Sequence, residues 1–278
     1  MADLPPSTSE KIAQAAGLKA VFREWLAAMV VGRIIDHDPT AGHYHLPSEN
    51  AAALTRVAGA DNMARLALVV PSLASVQEDI IAAFFQGGGV SYSSYPGFMK
   101  LWAEINTERF DASINPTNLS TLMPNVMEKM HEGIEILEVG CGNGHALCLM
   151  AKAFPDSRFT GYDLLEDGIE VARDKKRALG LSNVDFHAGD VTTFDEPNRY
   201  GLITAFDVIH DMARPDAALR WIFDSLKEGG TFLMVNLAAS SNLHENLDHP
   251  LGSWLYTTSC MHCMPVSLAL DGAGLGAM

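Results

Sequence analysis

The stretch Ile136-Leu137-Glu138-Val139-Gly140-Cys141-Gly142-Asn143-Gly144 decides how the rest of this chain is read. A short apolar run enters a turn with glycine at every second position, and helical spacing resumes behind it. Such a strand, glycine turn and helix let a ligand come up against the backbone. The dinucleotide fingerprint G-x-G-x-x-G requires glycine where His145 stands, and here glycine falls at Gly144 instead. The acidic Glu138, two places before the first glycine, suits a cationic ligand better than a pyrophosphate. S-adenosylmethionine, with an ammonium, a sulfonium and no phosphate, fits that description.

Outward from this turn the pattern is one of short apolar runs alternating with helical segments. Strands are expected at 134–140, 158–163, 184–188, 201–208 and 231–237, and helices at 144–154, 166–179 and 216–227. That rhythm predicts an α/β domain of Rossmann-like type with a parallel sheet. Ligands of such sheets bind at the carboxyl ends of the strands. Asp163 closes the second strand, where its carboxylate can accept both hydroxyls of a ribose, and Asp190 follows the third, placed for an adenine amino group. Alone, each aspartate reads as a turn or cap residue. Together with Glu138 they mark three successive strand ends.

From Glu138 to Leu237 the chain resembles the class I S-adenosylmethionine-dependent methyltransferases. ILEVGCGNG (136–144), FTGYDLLEDGIEVAR (159–173), VDFHAGDV (184–191), YGLITAFDVIHDM (200–212) and LKEGGTFLMV (226–235) match that family's successive motifs in order. The resemblance implies S-adenosylmethionine as cofactor, held by Glu138, Gly140, Cys141, Gly142, Asp163, Leu164, Asp190, Val191 and Asp207. It also implies a small-molecule acceptor methylated at oxygen or nitrogen. Plant O-methyltransferases carry a His-Asp pair similar to His210-Asp211, which makes His210 the candidate base, oriented by Asp211. The class I fold continues beyond its fifth strand into a helix and an antiparallel strand pair. Nothing after Pro265 reads as that pair, so the expectation is a domain truncated after its fifth strand, with 231–237 as an apolar edge.

Three regions are expected: a winged-helix domain over 1–66, a helical connector over 67–131 and the cofactor domain over 132–278. In the first, Ser9 can cap a helix through Ala16, Gly17 breaks it, and Lys19 to Val31 has helical spacing. Arg33 to Asp38 and His43 to Leu46 alternate about a Pro39–Gly42 turn, as a two-stranded wing does. His43 and His45 are expected to face solvent. This unit is similar to that of the winged-helix methyltransferases of actinobacteria and animals, whose substrates are mostly unknown. In plant O-methyltransferases it serves for dimerisation, and that similarity implies a homodimer. The connector is expected to break at Pro71, Gly87 to Gly89, Pro96 and Pro116. Its Tyr92, Tyr95 and Phe98 form a candidate aromatic lid.

The formal charge of -15 disfavours nucleic acid and anionic lipid. Only Lys19 and Arg23 are basic in the candidate recognition helix, whose Trp25, Leu26, Met29 and Val30 read as interface or core. A ligand-sensing transcription regulator, or a non-catalytic methyltransferase-like subunit, is therefore the alternative to an enzyme. Residues 1–10 show no secretory leader, and no apolar run is long enough for a membrane span. The expected compartment is the cytoplasm, with Cys141, Cys148, Cys260 and Cys263 as reduced thiols. Cys260-Met261-His262-Cys263 lacks the separated pairs of a closed zinc site, so no metal is expected and the segment is read as pocket wall or core.

Overall fold

Five parallel strands form the central sheet of a computed structural model that describes residues 1–18 and 22–277. The chain divides into two compact units, Met1–Leu68 and Val69–Met278.

In the first unit, α1 (Ser9–Ala15) is capped by Thr8, whose side chain accepts the Lys11 N–H. Ser9, the expected cap, already has helical backbone, so the cap lies one residue earlier. Gly17, with φ of 67°, follows the helix. The helix α2 (Phe22–Val31) buries Leu26, while Lys19, expected at its start, lies outside the described residues. The wing is a hairpin of β1 (Asp36–Asp38) and β2 (His43–His45). Asp38 accepts the Thr40 and Ala41 N–H groups to close its turn, and His37 stacks on Tyr44. His45 is exposed as expected, whereas His43 is half-buried. The helix α3 (Ser48–Leu54) completes this part. Ile12, Leu26 and Ile35 form its core.

Five further helices precede the sheet among the described residues: α4 (Ala64–Ala74), α5 (Gln77–Gln86), α6 (Pro96–Ser113), α7 (Pro116–Leu122) and α8 (Pro124–Glu132). Proline opens the last three, where its missing N–H costs nothing. Pro71, an expected break, instead lies inside α4. Val69 and Leu73 on either side of it are buried with Val76 and Ile80, and that packing outweighs the lost backbone hydrogen bond. No single helix among the described residues is long and apolar enough to cross a membrane.

The sheet domain alternates as the sequence predicts: β3 (Glu135–Val139), α9 (His145–Ala153), β4 (Arg158–Asp163), α10 (Glu166–Leu179), β5 (Val184–Ala188), β6 (Tyr200–Phe206), α11 (Pro215–Ser225) and β7 (Leu226–Val235). The strands lie in the order β5-β4-β3-β6-β7, and all pairs are parallel. Ile136, Leu147, Phe154, Phe159 and Phe186 pack in the core between sheet and helices. Each fully buried side chain of that size contributes about 1.5–3 kcal/mol. The chain first builds outward from β3 to β4 and β5, then returns to the other side of β3 for β6. Loops on the two sides of that reversal diverge and leave a crevice at the carboxyl ends. Beyond β7, which pairs only with β6 among the described residues, the chain forms α12 (Gly252–Thr258), a π-turn over Ser259–Cys263 and α13 (Met264–Leu268).

Candidate functional site

A cavity of about 460 Å³ opens at those carboxyl ends, in the size range of small-molecule sites. Glu138, Gly140, Cys141, Gly142, Asp163, Leu164, Asp190, Val191, Asp207 and His210 all line it. One wall is the glycine turn. Its Gly140 and Cys141 N–H groups both bond to the Tyr162 carbonyl, which holds the turn against β4. Gly144 caps α9 in the left-handed region, and a Cβ there would fall 2.6 Å from the Phe186 ring. Gly142, with φ of 51°, has open space where a Cβ would project. The first of these glycines packs the turn and the second clears its ligand face.

Glu138 is 2% exposed, and its Oε2 has no hydrogen-bond partner. Burial pushes its carboxyl well above the usual range, and the nearby Asp163 adds to the rise. A buried, unpartnered carboxylate at a cavity wall fits a cationic ligand. Burial also raises Asp163, opposed by the backbone N–H groups it accepts. Its Oδ2 takes the Gly142 N–H at 2.8 Å and its Oδ1 the Leu165 N–H at 2.9 Å. Each oxygen keeps a second lone pair, so these bonds aim the carboxylate rather than consume it. Asp190 Oδ1 accepts the Thr192 N–H and hydroxyl, closing the turn after β5. Asp207, in the left-handed region with φ of 52°, pairs with Arg109 of α6 at 2.8 Å.

The opposite wall is aromatic. Phe98, Trp102, Asn106 and Phe110 recur at four-residue spacing and so line one face of α6 towards the cavity. Tyr92 joins them. Tyr95 does not: it is 1% exposed and donates its hydroxyl to the Met261 carbonyl, so of the three expected lid residues it is core. His262 stacks on Phe98 with ring centroids 4.1 Å apart, and burial, with His210 nearby, takes its imidazole down to about 3. His262 and Cys263 line the cavity.

His210 lies between the walls. Asn236 Oδ1 accepts the Leu237 N–H at 2.9 Å and lies 2.8 Å from His210 Nδ1. That oxygen is an acceptor, so Nδ1 carries a proton and Nε2 is the nitrogen turned to the cavity side. Nε2 stands 3.3 Å from Asp211 Oδ1. Sequence reasoning named His210 and Asp211 but missed Asn236 and Arg109, which come from distant segments. Tyr92 and Phe98 of the wall were among the expected lid residues, and the four-residue spacing along α6 is the signal that would have added Trp102 and Phe110.

Residues 130–262 match the model of a methyltransferase domain, and residues 1–56 that of an Rv2258c-like winged HTH domain. A fatty-acid O-methyltransferase of Mycolicibacterium smegmatis is 33% identical over 103 residues, 37% of this chain and 36% of that protein. A malonyl-[acyl-carrier protein] O-methyltransferase of Bacillus cereus is 26% identical over 160 residues, 57% of this chain and 52% of that protein. The chain spans between 17% and 52% of the lengths of the first curated relatives it matches. Among solved structures, a proposed O-methyltransferase from Nostoc punctiforme superposes with a TM-score of 0.67 at 19% identity, covering 95% of this chain and 76% of that one. The mitomycin 7-O-methyltransferase MmcR gives 0.64 at 16% identity, covering 96% and 78%. At these identities the likeness is one of fold. The chain thus carries an Rv2258c-like winged HTH domain over residues 1–56 followed by a Rossmann-like methyltransferase domain over residues 130–262.

Proposed function

We propose that this chain transfers the methyl group of S-adenosylmethionine to an oxygen or nitrogen of a small, apolar, uncharged acceptor. The observation that carries the reading is one cavity with two unlike walls. Buried, unpartnered Glu138 and the aimed carboxylate of Asp163 stand on one, and the aromatic face of α6 on the other. The cofactor supplies a sulfonium methyl open to in-line attack. With the cofactor bound, Glu138 would hold its cationic end, Asp163 its ribose, and Asp190 and Val191 its base. Phe98, Trp102 and Phe110 exclude water and hold an apolar acceptor against the methyl, and orientation of that kind is the larger part of such catalysis. His210 Nε2, its ring fixed by Asn236, takes the proton of an acceptor hydroxyl.

The lining also argues for a neutral acceptor. Glu138, Asp163, Asp207 and Asp211 face the cavity, while Arg214, the arginine among the described lining residues, is exposed and paired with Asp216. An acceptor carboxylate would meet like charge, with Arg214 already taken. We further propose that the first unit serves as a homodimer surface, because Trp25 of its second helix is 47% exposed and stacked on Phe22, an apolar patch suited to a second copy.

The test is transfer of labelled methyl from S-adenosylmethionine to a panel of neutral phenols, alcohols and aromatic amines, with a fatty acid as the anionic control. Transfer to a neutral acceptor, reduced about 10²- to 10⁴-fold in His210→Ala, is the expected result. A folded, cofactor-binding chain that methylates none of them would overturn the enzymatic reading in favour of a non-catalytic subunit.

A further inference from the structure

We propose that His210, Asp211 and Cys263 form an open three-ligand site for a divalent metal ion of zinc's type at the acceptor end of the cavity. One ligand atom from each, the imidazole nitrogen, a carboxylate oxygen and the thiol sulfur, all lie within 4.8 Å of one another. Ligand atoms on one tetrahedral zinc are about 3.5 Å apart, as bonds of about 2.0–2.3 Å require. Side-chain rotation covers the difference.

Three further observations point to a ligand. Asp211 Oδ1 is buried, with His210 Nε2 3.3 Å away and the Cys263 thiol beside its carboxylate, so all three groups converge on one point. His210 donates Nδ1–H to Asn236 Oδ1, the outer bond that metal-ligating histidines use to fix the tautomer and present the other nitrogen. Cys263 ends a π-turn over Ser259–Cys263, a local distortion frequent at functional sites.

The donor set selects the metal. Imidazole, carboxylate and thiolate together suit zinc and its neighbours rather than magnesium or calcium. One thiolate and one carboxylate neutralise a divalent charge, which a largely buried site requires. Binding releases the Cys263 thiol proton to solvent and leaves the fourth position towards the cavity. This site does not depend on the proposed methyl transfer. Ligation occupies Nε2, so the base role proposed for His210 belongs to the metal-free chain.

The experiment is titration of the chelator-treated full chain with Co²⁺, read by absorption. One equivalent should bind with tetrahedral d–d bands and a thiolate-to-metal band. Cys263→Ser should remove the thiolate band and weaken binding tenfold or more, and Cys260→Ser should leave both. His210→Gln and Asp211→Asn, which keep side-chain volume, should each weaken binding likewise and stand in should the serine variant fail to fold. No stoichiometric binding, or a thiolate band that survives in Cys263→Ser, overturns the site. Calorimetry with S-adenosylmethionine on the same metal-free sample separates failure of this site from failure of the cofactor assignment.

Discussion

Gly17 in the first unit and Gly144 in the second have nearly the same backbone, with φ of 67° and 66°, and opposite surroundings. A Cβ on Gly17 meets nothing within 4 Å, whereas on Gly144 it would meet Phe186 at 2.6 Å and Ala172 at 2.7 Å. One glycine ends a helix. The other sets the cavity-lining turn into a packed core. The same contrast runs through the two units: the first rests on Ile12, Leu26 and Ile35, the second on continuous layers of buried side chains on either side of a sheet. Gly17 is punctuation, whereas Gly144 packs the turn whose neighbours Gly140 and Gly142 line the cavity.

The pair can be broken by substitution. Gly144→Ala adds left-handed strain to an overpacked contact and should cost about 2–5 kcal/mol in chemical denaturation. Gly17→Ala adds the strain alone and should cost about 1 kcal/mol. Equal losses would mean that the packing at Gly144 is not what requires glycine there.

Glu138→Gln sharpens the comparison at the site itself. The folded-state carboxyl titrates above its unfolded value. Below the usual carboxylate range both states are protonated and Glu138 makes no difference. As pH rises through that range the unfolded chain loses its proton first. Glu138 then costs stability, by about 1.4 kcal/mol for each pH unit climbed, until the folded value is reached. The glutamine variant should therefore melt higher than wild type at pH 7, melt equally near pH 3, and bind S-adenosylmethionine more weakly. A lower melting temperature at pH 7 would contradict the burial argument.

In the first unit, Trp25 is 47% exposed and stacked on Phe22. Trp25→Glu should shift a concentration-dependent dimer towards monomer in sedimentation, with little change in melting temperature. A wild-type monomer at all concentrations ends the dimer proposal.

What the sequence carried follows the same divide. The bounds of β4, α10 and β5 match expectation to the residue, because Asp163 ends one strand, Gly180 takes a left-handed cap after the helix, and apolar alternation marks the next. The glycine turn and the strand-end acids were legible because local backbone geometry demands those residue types. Pro71 misled, since a proline reads as a break until Val69 and Leu73 are seen to be buried. Asn236, Arg109 and the meeting of Cys263 with His210 were not legible. Each joins segments far apart in the chain, and only the closing of the fold brings them together.

The central claim is that the turn at 138–144 and the acids beside it bind S-adenosylmethionine. Calorimetric titration of the purified chain with S-adenosylmethionine, with Asp163→Ala and an NAD control in parallel, tests it most directly. The prediction is saturable one-to-one binding, about 10- to 100-fold weaker in the variant from the loss of charge-assisted hydrogen bonds, and no binding of NAD. A folded wild-type chain that binds no S-adenosylmethionine, or binds it as tightly without the Asp163 carboxylate, would contradict the claim.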